Sequence, residues 1–82
     1  MTPAQCRMAR AALGWGTVKL AKAAGVGIST VARFENAQSQ PRQETIRAIR
    51  RTFEDAGVIF LSEGETREGG LGVRLGATQN AR

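Results

Sequence analysis

The chain has 82 residues, with 12 Lys and Arg against 7 Asp and Glu, one cysteine and no histidine. This length predicts one domain, and the missing histidine removes the commonest general base and zinc ligand, which speaks against an enzyme or a metal site. A single cysteine cannot form an internal disulfide, and no apolar run approaches the roughly 20 residues of a membrane span, so we expect a cytoplasmic protein without cofactor or membrane contact.

The net charge of +5 is distributed unevenly along the chain. Residues 1–53 carry nine basic and two acidic side chains, a net charge of +7, whereas residues 54–82 carry three basic and five acidic ones, a net charge of −2. A basic body with an acidic C-terminal part is typical of a protein that binds a polyanion. A solvated basic face that only keeps the protein soluble would give the same balance.

The first predicted helix spans residues 3–13. Thr2 and Gln5 have the spacing of a capping box, and Pro3 suits the first helical position. The Gly14-Trp15-Gly16 segment then ends the helix, so the N-terminal part of the chain is predicted to begin with a well-capped helix.

Two short helices are predicted next, over residues 17–24 and 28–36. Thr17 is a residue type that can cap the first of them, and Gly25 can end it. In the second, Val31 forms part of an apolar stripe at helical spacing.

The fourth helix has the clearest pattern and is predicted over about residues 42–56. Its apolar side chains recur at helical spacing, at Ile46, Ile49, Phe53 and Ala56. Gly57 follows as a natural stop.

After the helices the pattern is typical of strands. Residues 58–61 are β-branched and aromatic, and residues 71–75 alternate apolar with small or charged side chains, so a β-hairpin is predicted over 58–75. Residues 76–82 are expected to form a frayed tail. Because an isolated hairpin is marginal in water, this one should either pack on its own helices or pair with a partner chain.

Residues 20–36, with the sequence LAKAAGVGISTVARFEN, resemble a helix-turn-helix. Ala21 is small enough for two helices to cross closely, and Gly25 permits a sharp turn between them. Val31 and Phe34 would hold the second helix on the core, which leaves its other face free to enter a DNA major groove.

Over about residues 3–57 the chain is similar to the λ-repressor/Cro-like regulators of the XRE family. The family pattern L-A-x-x-x-G-V-S-x-x-T-[IV]-x-x-x-E-x-G is matched at Leu20, Ala21, Gly25, Val26, Thr30, Val31 and Glu35. The chain departs from it at Gly27, where the family has a Ser or Thr helix cap, and at Ala37, where it has glycine. The resemblance implies a mainly α fold, a four-helix helix-turn-helix domain over residues 1–57, followed by the short hairpin.

The same resemblance implies a sequence-specific double-stranded DNA-binding transcriptional regulator, most simply a nucleoid-associated repressor. The base-reading residues would be Ile28, Ser29, Ala32 and Arg33. The phosphate-contacting residues would be Thr17, Lys22, Asn36, Gln38, Ser39, Gln40 and Arg42. For Ile28, contact with a thymine methyl group and half-buried packing both remain open.

The resemblance further implies a partly buried structural ion pair between Arg10 and Glu35. For three other cations, Arg47, Arg50 and Arg51, a solvated helix face is the favoured interpretation over DNA contact.

One recognition helix covers only a few base pairs, so we expect a homodimer on a pseudo-palindromic operator. The predicted dimerisation residues are Val58, Ile59, Phe60 and Leu61. The alternative for this strand is a hairpin packed within its own chain. An alternative function is the antitoxin of a toxin–antitoxin pair, in which the acidic segment 54–68 caps a toxin and the same motif autoregulates.

Overall fold

A computed structural model describes residues 1–62 and 70–76 of the chain. Its elements are α1 (Pro3–Leu13), α2 (Thr17–Ala24), α3 (Ile28–Glu35), α4 (Gln43–Asp55), β1 (Val58–Leu61) and β2 (Gly72–Leu75). The predicted fold class, four helices followed by a hairpin, is confirmed. Apart from Gly76, the predicted frayed tail lies outside the described residues, as does most of the predicted turn between the strands.

The start of α1 is the predicted capping box. The Thr2 hydroxyl accepts a hydrogen bond from the Gln5 backbone N–H at 3.1 Å, and the Gln5 side-chain oxygen accepts one from the Thr2 N–H at 3.0 Å. Both donors would otherwise be unpaired at a helix N-terminus, so the pair fixes where α1 begins.

The start of α2 differs from the prediction that Thr17 caps it. Gly16 is the N-cap residue, with extended backbone and a carbonyl that accepts from the Leu20 N–H at 3.2 Å, and Thr17 is the first helical residue. The helix therefore begins without a side-chain cap. At its other end Gly25 has φ +72°, a left-handed conformation that glycine adopts readily and that turns the chain towards α3.

Helix α3 begins at the predicted residue 28, whereas its C-terminal end and both ends of α4 lie one residue inside the predicted bounds of 28–36 and 42–56. Asn36, Arg42 and Ala56 are capping residues at these ends rather than helical ones.

The core is a single cluster to which all four helices and β1 contribute. Its buried apolar side chains are Cys6, Ala9, Leu20, Ala21, Val31, Phe34, Ile49, Phe53 and Val58. Because α2 and α3 each insert short apolar faces into it, the helix-turn-helix is fixed as a rigid unit.

The hairpin pairs within the chain and packs on its own helices. β1 and β2 are antiparallel, with Val58 opposite Leu75 and Leu61 opposite Gly72. The Phe60 ring meets the Phe53 ring edge-on, with 6.1 Å between centroids. Of the two arrangements left open by the sequence, the structure shows the intrachain one.

The Gln5 side chain fastens the hairpin to α1. Its Nε2 donates to the carbonyl oxygens of Leu61 at 2.9 Å and Gly72 at 3.1 Å, which belong to opposite strands. The same residue therefore completes the cap of α1 and holds the far end of the sheet. No helix among the described residues has both the length and the apolar character needed to cross a bilayer.

Candidate nucleic-acid interface

Helix α3 has a buried face and an exposed face, and the predicted base readers lie on the exposed one. Val31 and Phe34 are at most 2% exposed and enter the core. On the other side, Ser29 and Arg33 are exposed, Ala32 is half-buried, and Ile28 is 49% exposed. An aliphatic side chain with that exposure is available for an apolar contact with a partner.

The end of α3 forms a Schellman turn around Ala37. The Ala37 N–H donates to the Phe34 carbonyl at 3.0 Å, and the Gln38 N–H reaches back to the Arg33 carbonyl at 2.8 Å. Ala37 has φ +57°, in the left-handed region that normally holds glycine in this motif. The alanine thus occupies the backbone conformation of the family's glycine, at a conformational cost.

The predicted phosphate-contacting residues lie on α2 and on the segment between α3 and α4. Exposed members of this set are Lys22, Asn36, Gln38, Ser39, Gln40 and Arg42, and Thr17 is half-buried at the start of α2. The Arg42 side chain is 86% exposed and lies 3.8 Å from Glu44. The structure brings most of these residues together on the loop between α3 and α4.

The predicted Arg10–Glu35 pair has bidentate geometry. Arg10 Nε lies 2.7 Å from Glu35 Oε2, and Nη2 lies 2.8 Å from Oε1. The Glu35 side chain is 5% exposed and that of Arg10 is 22% exposed. Arg10 Nη1 also donates to the Trp15 carbonyl at 3.1 Å, so this one guanidinium joins α1, α3 and the loop before α2.

Two more donors converge on Glu35. The Cys6 thiol donates to Oε2 at 3.2 Å, and Arg7 Nη1 donates to the Glu35 backbone carbonyl. Burial disfavours the charged carboxylate, but the hydrogen bonds from Arg10 and Cys6 and the charges of Arg10 and Arg7 outweigh it and lower the pKa of Glu35.

Burial, together with the hydrogen bond to Glu35 and its negative charge, raises the pKa of the Cys6 thiol above its ordinary range. The thiol is therefore a protonated, structural hydrogen-bond donor and not a nucleophile.

Two of the three cations on α4, Arg50 and Arg51, have local contacts. Arg50 pairs with Glu54 at 3.0 Å and lies 5.1 Å from the centre of the Phe60 ring. Arg51 lies 4.0 Å from Asp55. These contacts support the interpretation of this face as solvated helix surface.

Sequence reasoning missed the long-range contacts of two polar residues on α1. The sequence predicted Gln5 only as a capping residue, and it predicted no contact for Arg7. Their bonds to Leu61, Gly72 and Glu35 span 28 to 67 residues of chain. No local spacing rule signals such contacts.

Residues 4–54 match the family model of the helix-turn-helix domain, which covers more than half of the chain, so the chain belongs to the helix-turn-helix domain family. A comparison with curated proteins found no match. The family supports a DNA-binding regulator, and such domains are typically non-enzymatic.

Proposed function

We propose that the chain is a sequence-specific transcriptional repressor of the XRE type that reads the DNA major groove with α3. The observation that carries the proposal is the outward face of this helix, where Ile28, Ser29 and Arg33 are exposed while Val31 and Phe34 anchor the opposite face. A recognition helix needs this combination of rigid seating and a free reading surface.

The chemistry of the exposed face suits particular base edges. Arg33 can donate two hydrogen bonds to O6 and N7 of guanine, and Ser29 can reach a base edge or a phosphate. Ile28 and Ala32 are apolar, which suits the methyl group of thymine. We therefore expect half-sites that contain both guanine and thymine.

Phosphate contacts would come from both sides of α3. Thr17 begins α2, where free backbone N–H groups and the helix dipole favour an anion. On the other side, residues 36–42 offer amide and hydroxyl groups and the exposed guanidinium of Arg42. Each phosphate neutralised by a cation should add about 0.9 to the slope of log K against log salt.

The proposed repressor is a homodimer that uses the exposed face of β1. Ile59 is 40% exposed there, whereas the Val58 side chain is 3% exposed and belongs to its own core. Ile59→Lys should make the protein monomeric in sedimentation equilibrium. Leu71→Lys, at a residue 45% exposed outside the strands, is the matched control. An Ile59→Lys variant that sediments as the parent dimer would contradict this interface.

Selection of bound sequences from a random duplex pool tests the proposed function. The expected result is a pseudo-palindrome with half-site centres about 34 Å, or one helical turn, apart. Failure to enrich any sequence would contradict sequence-specific binding. The antitoxin alternative instead predicts that affinity purification recovers a stoichiometric small protein partner, identified by mass spectrometry.

A further inference from the structure

The backbone carbonyl of Glu35 is the last carbonyl of α3. The N–H groups of the Schellman turn do not reach this carbonyl, because the Ala37 N–H bonds to the Phe34 carbonyl and the Gln38 N–H to the Arg33 carbonyl. Arg7 supplies a donor for Glu35 from α1. A cation at a helix C-terminus also interacts favourably with the helix dipole.

Glu35 is therefore held by α1 at two points. Arg10 holds its carboxylate and Arg7 holds its backbone, and these two arginines are three residues apart on the same helix. Residues three apart lie close together on a helix surface, so both contacts can act on one residue of α3.

The turn that follows needs such support because of Ala37. A residue with a Cβ disfavours the left-handed conformation, yet Ala37 has φ +57°. Arg7, Asn36 and Ala37 also line one open cleft between the start of α1 and the end of α3. The guanidinium thus lies beside the turn whose conformation is unfavourable.

We propose that Arg7 is a positioning residue for loop 36–42. By bonding the Glu35 carbonyl, it holds the Schellman turn against the conformational preference of Ala37 and so sets where Asn36 and Gln38 present their side chains. The inference rests on the proposed function, because that proposal assigns the loop its contact with DNA phosphates.

Amide hydrogen exchange of the full-length chain tests the structural half without DNA. In Arg7→Met the Gln38 amide should exchange at least about tenfold faster, because a hydrogen bond to a charged group is lost. Arg51→Met, which removes an exposed charge from α4, should leave that rate unchanged. Adding Ala37→Gly to Arg7→Met should restore protection, because glycine adopts the left-handed conformation freely.

An unchanged Gln38 exchange rate in Arg7→Met would overturn the inference. If Arg7→Met does not fold, the same comparison is made with Arg7→Gln, which removes the charge and retains a shorter amide donor.

DNA titrations of the same variants test the functional half. Arg7→Met should weaken binding to selected and scrambled duplexes alike, by roughly three- to tenfold. Adding Ala37→Gly to Arg7→Met should restore most of the lost affinity. If Arg7 instead contacted a phosphate directly, the salt slope would fall by about 0.9 and Ala37→Gly would restore nothing, which would overturn the proposal. If the parent chain binds no DNA, the proposed function fails, while the amide exchange still decides the role of Arg7.

Discussion

Glu35 is the residue on which the polar contacts inside the helical body converge. It is 4% exposed and receives hydrogen bonds from the side chains of Arg10, Cys6 and Arg7. Arg10 and Cys6 bond the buried carboxylate and Arg7 bonds the backbone carbonyl, and together these contacts fix the position of α3 relative to α1. The Arg10–Glu35 ion pair is costly to break, because removal of one partner leaves a charge buried without compensation.

Arg10→Met removes the principal partner of Glu35. We expect the free energy of unfolding to fall by about 3–5 kcal/mol, measured by urea denaturation. Arg51→Met is the control: it breaks a pair whose side chains are 84% and 74% exposed, and should change stability by less than about 0.5 kcal/mol. A variant at position 10 that unfolds at the parent's urea concentration would refute the structural role of the pair.

The lowered pKa of Glu35 makes stability dependent on pH in the acid range. Because the carboxylate is more acidic in the folded chain, its contribution is complete above the unfolded value of about 4.3 and disappears as the pH falls through the lower folded pKa. Thermal unfolding followed from pH 7 to pH 2 should show this loss. Glu35→Gln should be less stable at pH 7 but show a shallower decline below pH 5; an equally steep decline would assign the acid sensitivity to other carboxylates.

At the scale of the element, α3 is a short helix that is followed by an unfavourable backbone conformation. Gly27 provides no side-chain cap at its start, and Ala37 occupies a left-handed position at its finish. Its stability therefore comes from Val31 and Phe34 in the core and from the two arginines of α1. Helix α3 therefore depends on its packing more than on its own sequence.

Ala37→Gly should stabilise the domain by about 1 kcal/mol, since it removes the left-handed penalty at one residue. For a chain of this size that corresponds to a rise of roughly 4–8 °C in Tm by calorimetry. Ala12→Gly, at an exposed position in the last turn of α1, is the opposite control and should destabilise the domain. An unchanged or lower Tm for Ala37→Gly would contradict the conformational account of this turn.

The elements could be predicted because their signals are local. The capping box of Thr2 and Gln5, the left-handed turn at Gly25 and the helical spacing of Ile49 and Phe53 each involve residues only a few positions apart. The cap of α2 was predicted wrongly because glycine and threonine both suit an N-cap, and the choice between Gly16 and Thr17 depends on backbone geometry. The contacts of Arg7 with α3 depend on the finished tertiary structure.

At the scale of the whole molecule, the basic side chains differ in whether a carboxylate lies near them. On α4, Arg50 and Arg51 are paired with acids one turn further along. Among residues 1–62 and 70–76, Arg33 and Lys22 have no carboxylate within 4.0 Å. The charge of Arg33, which is exposed on α3, is therefore available to a polyanion.

The hairpin contacts both the first and the last helix, α1 and α4. Gln5 near the N-terminus holds both strands, and Phe60 extends the ring contact of Trp15 with Phe53, whose centroids are 6.0 Å apart. The sheet is thus part of the core of the chain. Under the proposed function its outward face, with Ile59, is left for the second subunit.

The measurement that tests the central claim most directly is a titration of Arg33→Ala and Arg42→Ala on a selected and a scrambled duplex. Arg33→Ala should lose about 1–3 kcal/mol of discrimination between the two duplexes, because the contact proposed for Arg33 is to a base. Arg42→Ala should weaken binding to both alike and reduce the salt slope by about 0.9, because the contact proposed for Arg42 is to a phosphate. Equal losses of discrimination in the two variants would contradict the assignment of α3 as the reading helix.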